Sequence, residues 1–303
     1  MDIAITGSGG LIGTALSDAL TERGDRVLSL TRNADRASSD PDSAYWSPSD
    51  GDIDSGALEG VDAVIHLAGE PIAAKRWTDA QKRELLVSRT DGTTLLASTL
   101  ADLAKPPATL LSASAIGYYG DTGQELVDET APPGSDFLAE LCVAWEASTG
   151  PAETAGLRTV HLRTGIVQST RGGALAKQLL PFKLGLGGKV LPGTQWISWI
   201  TIDDEVGGIL HALDHAEIAG PVNLVAPNPA TNATYAKTLG GVLHRPTFII
   251  PLIGPKVLFG SELAESLLKT SQRVDDGVLE ATGYTFAHTD LEAALDHVID
   301  QGR

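Results

Sequence analysis

The sequence predicts an α/β protein with a doubly wound parallel sheet and a smaller C-terminal lobe. Three observations favour this fold class. Short apolar runs alternate with segments whose apolar residues recur at helical spacing, as in βαβ units. A glycine-rich turn separates the first apolar run from the first helical segment. After residue 170 this pattern gives way to glycine-rich stretches, which we interpret as loops that are mobile or face a substrate.

The change of pattern predicts two structural units. We expect the main unit to span residues 1–170 and to take back residues 198–226 as its last elements. Residues 171–197 and 227–303 then form the smaller substrate lobe, which we expect to be mostly helical after the glycine-rich loops, with a short strand at Tyr284.

The composition excludes several classes of protein. The chain has 303 residues and a net charge of −17, and phosphate contacts need a basic face, so we expect no nucleic-acid binding. No apolar run approaches the about 20 residues that cross a bilayer, so we expect no membrane span. A single cysteine, with no signal peptide before the first strand, predicts a cytoplasmic protein without disulfides. The acidic balance indicates either salt adaptation, which we favour, or an ordinary acidic enzyme.

The glycine-rich turn predicts a dinucleotide site. Its glycines, Gly7, Gly10 and Gly13, stand three residues apart between a strand and a helix. Such glycines allow a sharp turn, a close approach of the backbone to a diphosphate, and tight packing of the helix on the strand. The first helical residues, Leu11 and Ile12, add N–H groups without helical partners and the positive end of the helix dipole. The alternative is an ordinary tight turn.

The residues after the second strand decide which dinucleotide fits. An NAD site usually places an acidic residue there to accept hydrogen bonds from the ribose 2′-hydroxyl. This chain has Thr31 and Arg32 instead, and a hydroxyl and a guanidinium both suit a 2′-phosphate. The sequence therefore predicts NADP(H). Two alternatives stay open, because Arg32 could be solvated at the strand end and Asp35 lies close enough to act as the acid.

A further strong strand lies within residues 61–69 and ends in the small residues Ala68 and Gly69. The carboxyl ends of parallel strands form the ligand crevice of such a sheet. Small residues there let a nucleotide lie against the backbone. We interpret His66, inside this strand, as a structural residue.

Motifs that carry a family resemblance extend along the chain: Thr6–Gly13, His66–Ile72, Ser88-Arg89, Gly92-Thr93, Gly117–Gly120, Phe137–Ala139, Cys142, Trp145-Glu146 and Pro181–Gly188. Together they resemble the atypical short-chain dehydrogenase/reductase group called the epimerase-family proteins, labelled NAD-dependent epimerase/dehydratase. The resemblance implies a Rossmann-type fold. It also implies an NADP-type cofactor contacted by Thr31, Arg32, Leu67, Ala68, Glu84, Arg89 and Val167. A C-terminal segment of unknown purpose, over about residues 254–295, is implied as well.

The chain departs from this resemblance at the proton-transfer pair. Reductases of the wider family use Tyr-x-x-x-Lys on the helix near residue 140, where the tyrosine is the general acid/base and the lysine lowers its pKa. When Glu146 is aligned with the glutamate that often follows this motif, Leu138 and Cys142 occupy the two positions. Leucine carries no proton, and a thiol is not a fixed cation. We predict that Cys142 is a small buried residue and not a nucleophile.

Two functions remain open. The first is an NADP-dependent oxidoreductase or nucleotide-sugar epimerase-like enzyme whose acid/base is Tyr118 or Tyr119, with Ser114 holding the substrate oxygen as the resemblance implies. Arg89 or the oxidised nicotinamide would then supply the nearby cation. Each tyrosine has the alternative of packing on the core or on the nicotinamide. The second function is a regulator or assembly factor that senses NADP(H) without chemistry. The sequence names no substrate and predicts no metal site.

The resemblance also implies a possible homodimer. Family members commonly associate through two helices per subunit, here near residues 79–103 and 137–149. The apolar residues that would supply this surface are Leu95, Leu96, Val143 and Trp145. The alternative is that these side chains only cover their own sheet.

Overall fold

The computed structural model describes residues 1–253, 256 and 260–302. The strands are β1 Asp2–Thr6, β2 Arg26–Thr31, β3 Ser43–Ser47, β4 Asp52–Ile53, β5 Ala63–His66, β6 Thr109–Ala115, β7 Arg158–Thr164, β8 Ile166–Gln168, β9 Gly188–Val190, β10 Trp196–Ile197, β11 Trp199–Thr201, β12 Gly220–Leu224, β13 Ala230–Thr231 and β14 Phe248–Ile250. The helices are α1 Leu11–Arg23, α2 Ala34–Ser39, α3 Asp79–Asp102, α4 Phe137–Ala147, α5 Gly150–Thr154, α6 Gly173–Lys183, α7 Ile202–Asp214, α8 Asn232–Val242, α9 Ser261–Leu268, α10 Gly277–Ala281 and α11 Leu291–Gln301.

Eight strands form one sheet in the order β12-β7-β6-β5-β1-β2-β3-β4. All neighbouring strands in it are parallel except the edge strand β4, which runs antiparallel to β3. The chain moves outward from β1 to β2 and β3, then returns to place β5 on the other side of β1. This reversal creates the switch point at which open α/β sheets bind ligands. The predicted doubly wound parallel sheet is confirmed.

The central strands are apolar on both faces because helices cover both sides of the sheet. In β1, Ile3 and Ile5 pack in one core cluster with Leu16 of α1 and Ile209 of α7. Ala4, between them, packs in a separate cluster with residues of α3 and β6. This alternation follows from the two-residue period of a strand, and it fixes the carboxyl end of β1 between two helical layers.

The long helix α3 begins where the sequence predicts. The Thr78 side chain accepts a hydrogen bond from the Gln81 N–H at 3.1 Å, which satisfies one of the unpaired donors of the first turn. Asp136 caps α4 in the same way through the Ala139 N–H. These two caps set the start of the helices that carry Arg89 and Glu146.

A second hydrophobic cluster gathers residues from α6, α8 and α11, including Leu179, Leu239 and Leu295, around the buried Trp199. This cluster agrees with a smaller lobe, but Leu279 packs instead in the main cluster. The boundaries of the two units therefore stay a prediction. One predicted loop is partly a strand, since β9 pairs in parallel with β14 and Gly188 leaves room for the Phe248 carbonyl.

The predicted strand at Tyr284 is wrong. The Tyr284 N–H donates to the Leu279 carbonyl at 2.9 Å and closes the end of α10, so it takes no part in a ladder. The ring packs edge-on against Phe286. Of the predicted C-terminal segment, residues 254–255 and 257–259 lie outside the described residues.

Two residues expected to supply a dimer surface are buried within the chain. Leu96 is fully buried in the core beneath α3, and Trp145 is 6% exposed. The prediction for these two side chains is therefore wrong, whereas Val143 is 39% exposed. Dimerisation itself stays a prediction. In the described part of the chain, every helix is too short or too polar to span a lipid bilayer.

Candidate functional site

The first βα turn lies at the switch point of the sheet and forms a concave surface that we call the cradle. The cradle consists of Gly7, Gly10, Gly13, Leu67 and Ala68. Gly7 has φ +71°, and a Cβ there would lie 2.9 Å from the Leu67 carbonyl carbon. A Cβ on Gly13 would lie 2.1 Å from the Gly7 carbonyl oxygen. Only glycine fits at these two positions, so the turn lies directly against the chain that leaves β5.

The cradle opens toward the N-terminus of α1. Gly10 precedes the helix and offers no side-chain cap, and the first turn carries no acidic residue. The N–H groups of Leu11 and Ile12 therefore face outward without a helical partner. Gly172, which precedes α6, lies against the Leu11 side chain, since a Cβ on it would be 3.5 Å away. The N-termini of α1 and α6 therefore lie close to each other, and a helix N-terminus suits an anion.

Val167 belongs to the same neighbourhood. It lies in β8, partly buried against the main core, and its carbonyl would be 3.5 Å from a Cβ on Gly173 at the start of α6. The glycine-rich loop therefore joins Val167 to the edge of the cradle.

Arg32 stands at the carboxyl end of β2, next to the strand that leads into the cradle. Its side chain is exposed and forms no ion pair or hydrogen bond with the residues that the structure describes. Thr31 accepts a hydrogen bond from the Asn33 N–H at 3.2 Å, and Asp35 lies in the first turn of α2. A guanidinium in this position is available to an incoming phosphate.

His66 anchors the floor of the cradle. Its Nδ1 lies 2.7 Å from the Thr6 hydroxyl, and its Nε2 lies 3.0 Å from the Thr93 hydroxyl. Thr6 in turn accepts hydrogen bonds from the N–H groups of Leu67 and Ala68. Burial, aided by the nearby Arg89 charge, lowers the pKa of His66 to about 4, so the ring is neutral at pH 7. The structural interpretation of His66 is confirmed.

Arg89 lies beside the cradle, buried in α3 beneath the chain that follows β5. Its Nη1 donates to the Glu70 and Leu85 carbonyls, both at 3.1 Å, and its guanidinium covers the Trp145 ring at 4.7 Å. Its Nε is buried without a hydrogen-bond partner among the described residues. The exposed Gly69 approaches it, since a Cβ there would lie 3.3 Å from the guanidinium carbon.

Glu84 does not join Arg89. It is exposed on another face of α3. Its contact with the cofactor stays a prediction. The uncapped N-terminus of α1 and the Nε of Arg89, which has no partner among the described residues, are the two features that fit a bound dinucleotide.

A second cluster, which we call the polar network, lies at the carboxyl ends of β6 and β7. It consists of Ser114, Glu146, Arg163, Tyr119 and Asn223. The Ser114 hydroxyl donates to Glu146 Oε1 at 2.6 Å, and Arg163 donates to both oxygens of Glu146, at 2.8 and 2.9 Å. Burial alone would lower the pKa of Arg163, but its bonds to Glu146 raise it. The guanidinium is therefore a permanent cation.

The two candidate tyrosines differ in their surroundings. The Tyr119 hydroxyl donates to Asn223 Oδ1 at 2.7 Å and accepts from Arg163 Nη1 at 2.9 Å. Burial, only partly offset by Arg163, raises the pKa of Tyr119 to about 12. Tyr118 is partly exposed, and its ring lies over the Arg163 guanidinium at 3.5 Å from the centroid. Within the described residues, its hydroxyl makes no hydrogen bond.

The two positions expected to hold tyrosine and lysine are closed by the turn that follows β6. A Cβ on Gly117 would lie 3.5 Å from Leu138 and 3.6 Å from the Cys142 sulfur, so this turn packs directly on α4. Cys142 is 2% exposed, and burial together with Glu146 raises its pKa to about 12. The predicted burial of Cys142 is confirmed. The Arg163 guanidinium contacts the Tyr118 ring, whereas the predicted cations are Arg89 and the oxidised nicotinamide.

Glu205, at the start of α7, is the other ionisable group near the strand ends. It is fully buried and accepts a hydrogen bond from the Thr164 hydroxyl at 2.8 Å, while its Oε2 has no partner in the described structure. Burial raises the pKa of Glu205 to about 8, so it is mostly protonated at pH 7.

Three members of the polar network, Glu146, Arg163 and Asn223, are not predicted as site residues by the sequence. Glu146 enters the prediction only as the glutamate that follows the Tyr-x-x-x-Lys motif. Arg163 and Asn223 lie inside segments that otherwise predict buried strands. The available signal was the charge of Arg163 within β7, since buried arginine needs a partner.

Comparisons with known proteins identify relatives over the whole chain. The model of the NAD dependent epimerase/dehydratase family matches residues 3–225, and that of a domain of unknown function, DUF1731, matches residues 250–298. The epimerase family protein Mb2239 of Mycobacterium bovis is 41% identical over 296 residues, which cover 97% of this chain and 96% of that protein.

Two solved structures are similar in fold and sequence. Human epimerase family protein SDR39U1, solved with NADPH, is 33% identical with a TM-score of 0.90, and the match covers 99% of both chains. The nucleoside-diphosphate sugar epimerase of Corynebacterium glutamicum is 38% identical with a TM-score of 0.81. That match covers 99% of this chain and 58% of the other.

Proposed function

Because the chain belongs to the NAD dependent epimerase/dehydratase family, we propose that it is an NADP(H)-dependent oxidoreductase or nucleotide-sugar epimerase-like enzyme. The observation that carries this proposal is Tyr118, whose hydroxyl has no partner among the described residues while its ring lies on the Arg163 cation. This pairing stands just beyond the carboxyl end of β6, in the crevice of the sheet.

The cofactor site is the cradle together with Arg32. The N–H groups at the start of α1 would hold the diphosphate, and Arg32 would pair with a 2′-phosphate. The human relative was solved with NADPH, which agrees with this choice. When bound, NADP(H) supplies or accepts the hydride.

The protein must then move a proton at the substrate oxygen. In the reducing direction Tyr118 donates its hydroxyl proton to the oxygen as the carbonyl carbon gains a hydride. The Arg163 guanidinium lies over the Tyr118 ring at 3.5 Å from its centroid and so orients the hydroxyl for this transfer. Arg163 therefore takes the place of the absent lysine as a positioning residue. In the oxidising direction the same proton returns to the tyrosine.

Ser114 has a different part in this scheme. Its hydroxyl already donates to Glu146, so its oxygen has lone pairs with which it can still accept a hydrogen bond. It would therefore accept a hydrogen bond from a substrate alcohol. Tyr119 holds Asn223 and Arg163 in position and is not free to exchange a proton.

A nucleotide-sugar substrate is the form of this chemistry that the Corynebacterium glutamicum relative favours by its printed name. The alternative function, an NADP(H)-sensing regulator without chemistry, is favoured by one observation. Ser114 and Tyr119 are bound within the polar network, and Leu138 and Cys142 offer no proton donor to the crevice.

Two conservative variants separate these possibilities. NADPH consumption should be measured on a panel of carbonyl compounds for wild type, Tyr118→Phe and Tyr119→Phe. Conversion of nucleotide sugars to their epimers, which consumes no NADPH overall, should be followed for the same proteins by analysis of the products. We expect Tyr118→Phe to lower kcat by about 10²- to 10⁴-fold, the range for a general acid/base, with an unchanged free energy of unfolding. Tyr119→Phe should instead lose about 1 kcal/mol of stability, because it removes hydrogen bonds within the core.

Full turnover by Tyr118→Phe would remove this residue from the mechanism. Binding of NADPH by the wild type, without turnover on either panel, would support the regulator instead.

A further inference from the structure

We propose that Asp203, His288 and His297 form a binding site for a divalent transition metal such as Zn²⁺. Asp203 lies in the first turn of α7, His288 precedes α11, and His297 lies within α11. One oxygen or nitrogen donor atom of each side chain lies within 4.8 Å of the others. No sequence motif predicts the site, because Asp203 and His297 are 94 positions apart.

The donor atoms are close to the separation that a metal needs. Zn²⁺ binds histidine nitrogen and carboxylate oxygen at about 2.0–2.2 Å, so two ligand atoms at tetrahedral positions are about 3.3–3.6 Å apart. Asp203 Oδ2 and His297 Nε2 are 2.7 Å apart, and the His288 and His297 ring centroids are 4.3 Å apart. Widening the first pair by about 0.7 Å and closing in the His288 donor, which lies within 4.8 Å of the others, would fill three of four tetrahedral positions.

The surroundings of His288 resemble the second shell of a metal site. Asp204, which is 1% exposed, has its Oδ2 3.4 Å from His288 Nδ1. The same carboxylate accepts hydrogen bonds from the Ala287 N–H at 2.7 Å and the His288 N–H at 3.0 Å. Metal-bound histidines usually place their other nitrogen near a carboxylate in this manner. Asp204 thereby holds the loop that carries the ring.

The donor types select the class of metal. Two imidazoles and one carboxylate suit zinc, copper or nickel, whereas Mg²⁺ and Ca²⁺ prefer all-oxygen sites. Asp203 and His297 are 40% and 38% exposed at the side chain, so an ion can enter from solvent and water can complete the coordination. The Gln301 amide, 2.8 Å from His297 Nε2, lies at the exposed end of α11 and can turn away.

A simple ion pair explains less of this arrangement. Separate ion pairs account for the contact of Asp203 with His297 and of Asp204 with His288, but they do not explain why the two imidazole rings lie against each other with centroids 4.3 Å apart. A metal ion uses both rings. The metal would also link α11 to α7, which packs on the main sheet, so its binding should stabilise the folded chain.

The test uses the full chain, stripped with EDTA and dialysed. ZnCl2 is titrated by calorimetry, and the midpoint of thermal unfolding is recorded with ZnCl2 and with MgCl2. We expect one zinc site per chain and a higher unfolding midpoint with zinc only. His288→Gln and Asp203→Asn should each weaken zinc binding by about 10-fold or more, since even the loss of a second-shell partner costs about 10- to 100-fold.

The matched control is His211→Gln, which breaks another histidine pair. His211 and His215 have ring centroids 3.8 Å apart, but His211 Nε2 lies 2.9 Å from the Thr282 hydroxyl. This variant should keep wild-type zinc affinity. The proposal is overturned if wild type binds no zinc, if zinc affinity falls in His211→Gln and not in His288→Gln, or if folded Asp203→Asn, checked by circular dichroism, binds zinc as wild type does.

Discussion

The cradle and the polar network occupy adjoining strand ends of one sheet, yet they are built in opposite ways. The cradle depends on backbone shape, since Gly7 and Gly13 leave room that no other residue would leave. The polar network depends on side chains, since Arg163 bonds to Glu146 and Tyr119 from different segments. The first region can accept a common cofactor group, while the second sets what chemistry the crevice supports.

Substitutions in the two regions are expected to destabilise the folded chain for different reasons. A misplaced Cβ in the cradle meets main-chain atoms, which move only with the whole turn. The polar network instead holds a buried charge that is tolerable only while its partners remain. A substitution is therefore expected to act through shape in the cradle and through charge in the polar network.

The largest effect is expected when the charge balance of the polar network is broken. Arg163→Met should lower the free energy of unfolding by about 3–5 kcal/mol, because Glu146 then stays buried without its cation. Urea denaturation measures the loss. Arg32→Met is the matched control, since its exposed guanidinium makes no contact within the described residues, and its stability should not change. A loss below about 1 kcal/mol for Arg163→Met would contradict this account of the network.

A smaller effect is expected when the shape of the cradle is changed. Gly13→Ala should cost about 1–3 kcal/mol of stability, the range for overpacking, because its Cβ would lie 2.1 Å from the Gly7 oxygen. NADPH affinity should fall as well, since the turn must shift. Gly9→Ala is the control, because a Cβ there meets nothing within 4 Å. Equal behaviour of the two variants in denaturation and in NADPH titration would show that the cradle is not constrained by its glycines.

The same contrast explains which parts the sequence could predict. The cradle is local, so the spacing of Gly7, Gly10 and Gly13 between a strand and a helix predicts it directly. The strand of His66 and the helix capped by Thr78 were predictable for the same reason. Their signals are the spacing of apolar residues and the glycine or capping residues that bound each element, all within a few positions.

The polar network was not predictable because its contacts span long separations. Tyr119 and Asn223 are 104 positions apart, and Ser114 and Glu146 are 32 apart. The sequence identifies Ser114 and both tyrosines as candidates. Only the folded structure shows that the Tyr119 hydroxyl has two hydrogen-bond partners, whereas the Tyr118 ring contacts the Arg163 guanidinium. The type of residue alone does not show whether its hydroxyl is already hydrogen-bonded within the protein.

The smallest expected effect tests whether Arg32 extends the cradle to a 2′-phosphate. Arg32→Ala should weaken NADPH binding by about 10-fold, or about 1.4 kcal/mol, which is modest because the guanidinium is exposed. NADH affinity should not change, because its ribose carries no such phosphate. Arg36→Ala is the control, since that side chain donates to Ser43 at 3.1 Å and lies 3.6 Å from Asp40. Calorimetric titration of both cofactors decides the question. If Arg32→Ala weakens NADPH and NADH equally, or neither, the arginine does not read the phosphate, and cofactor preference must come from elsewhere in the cradle.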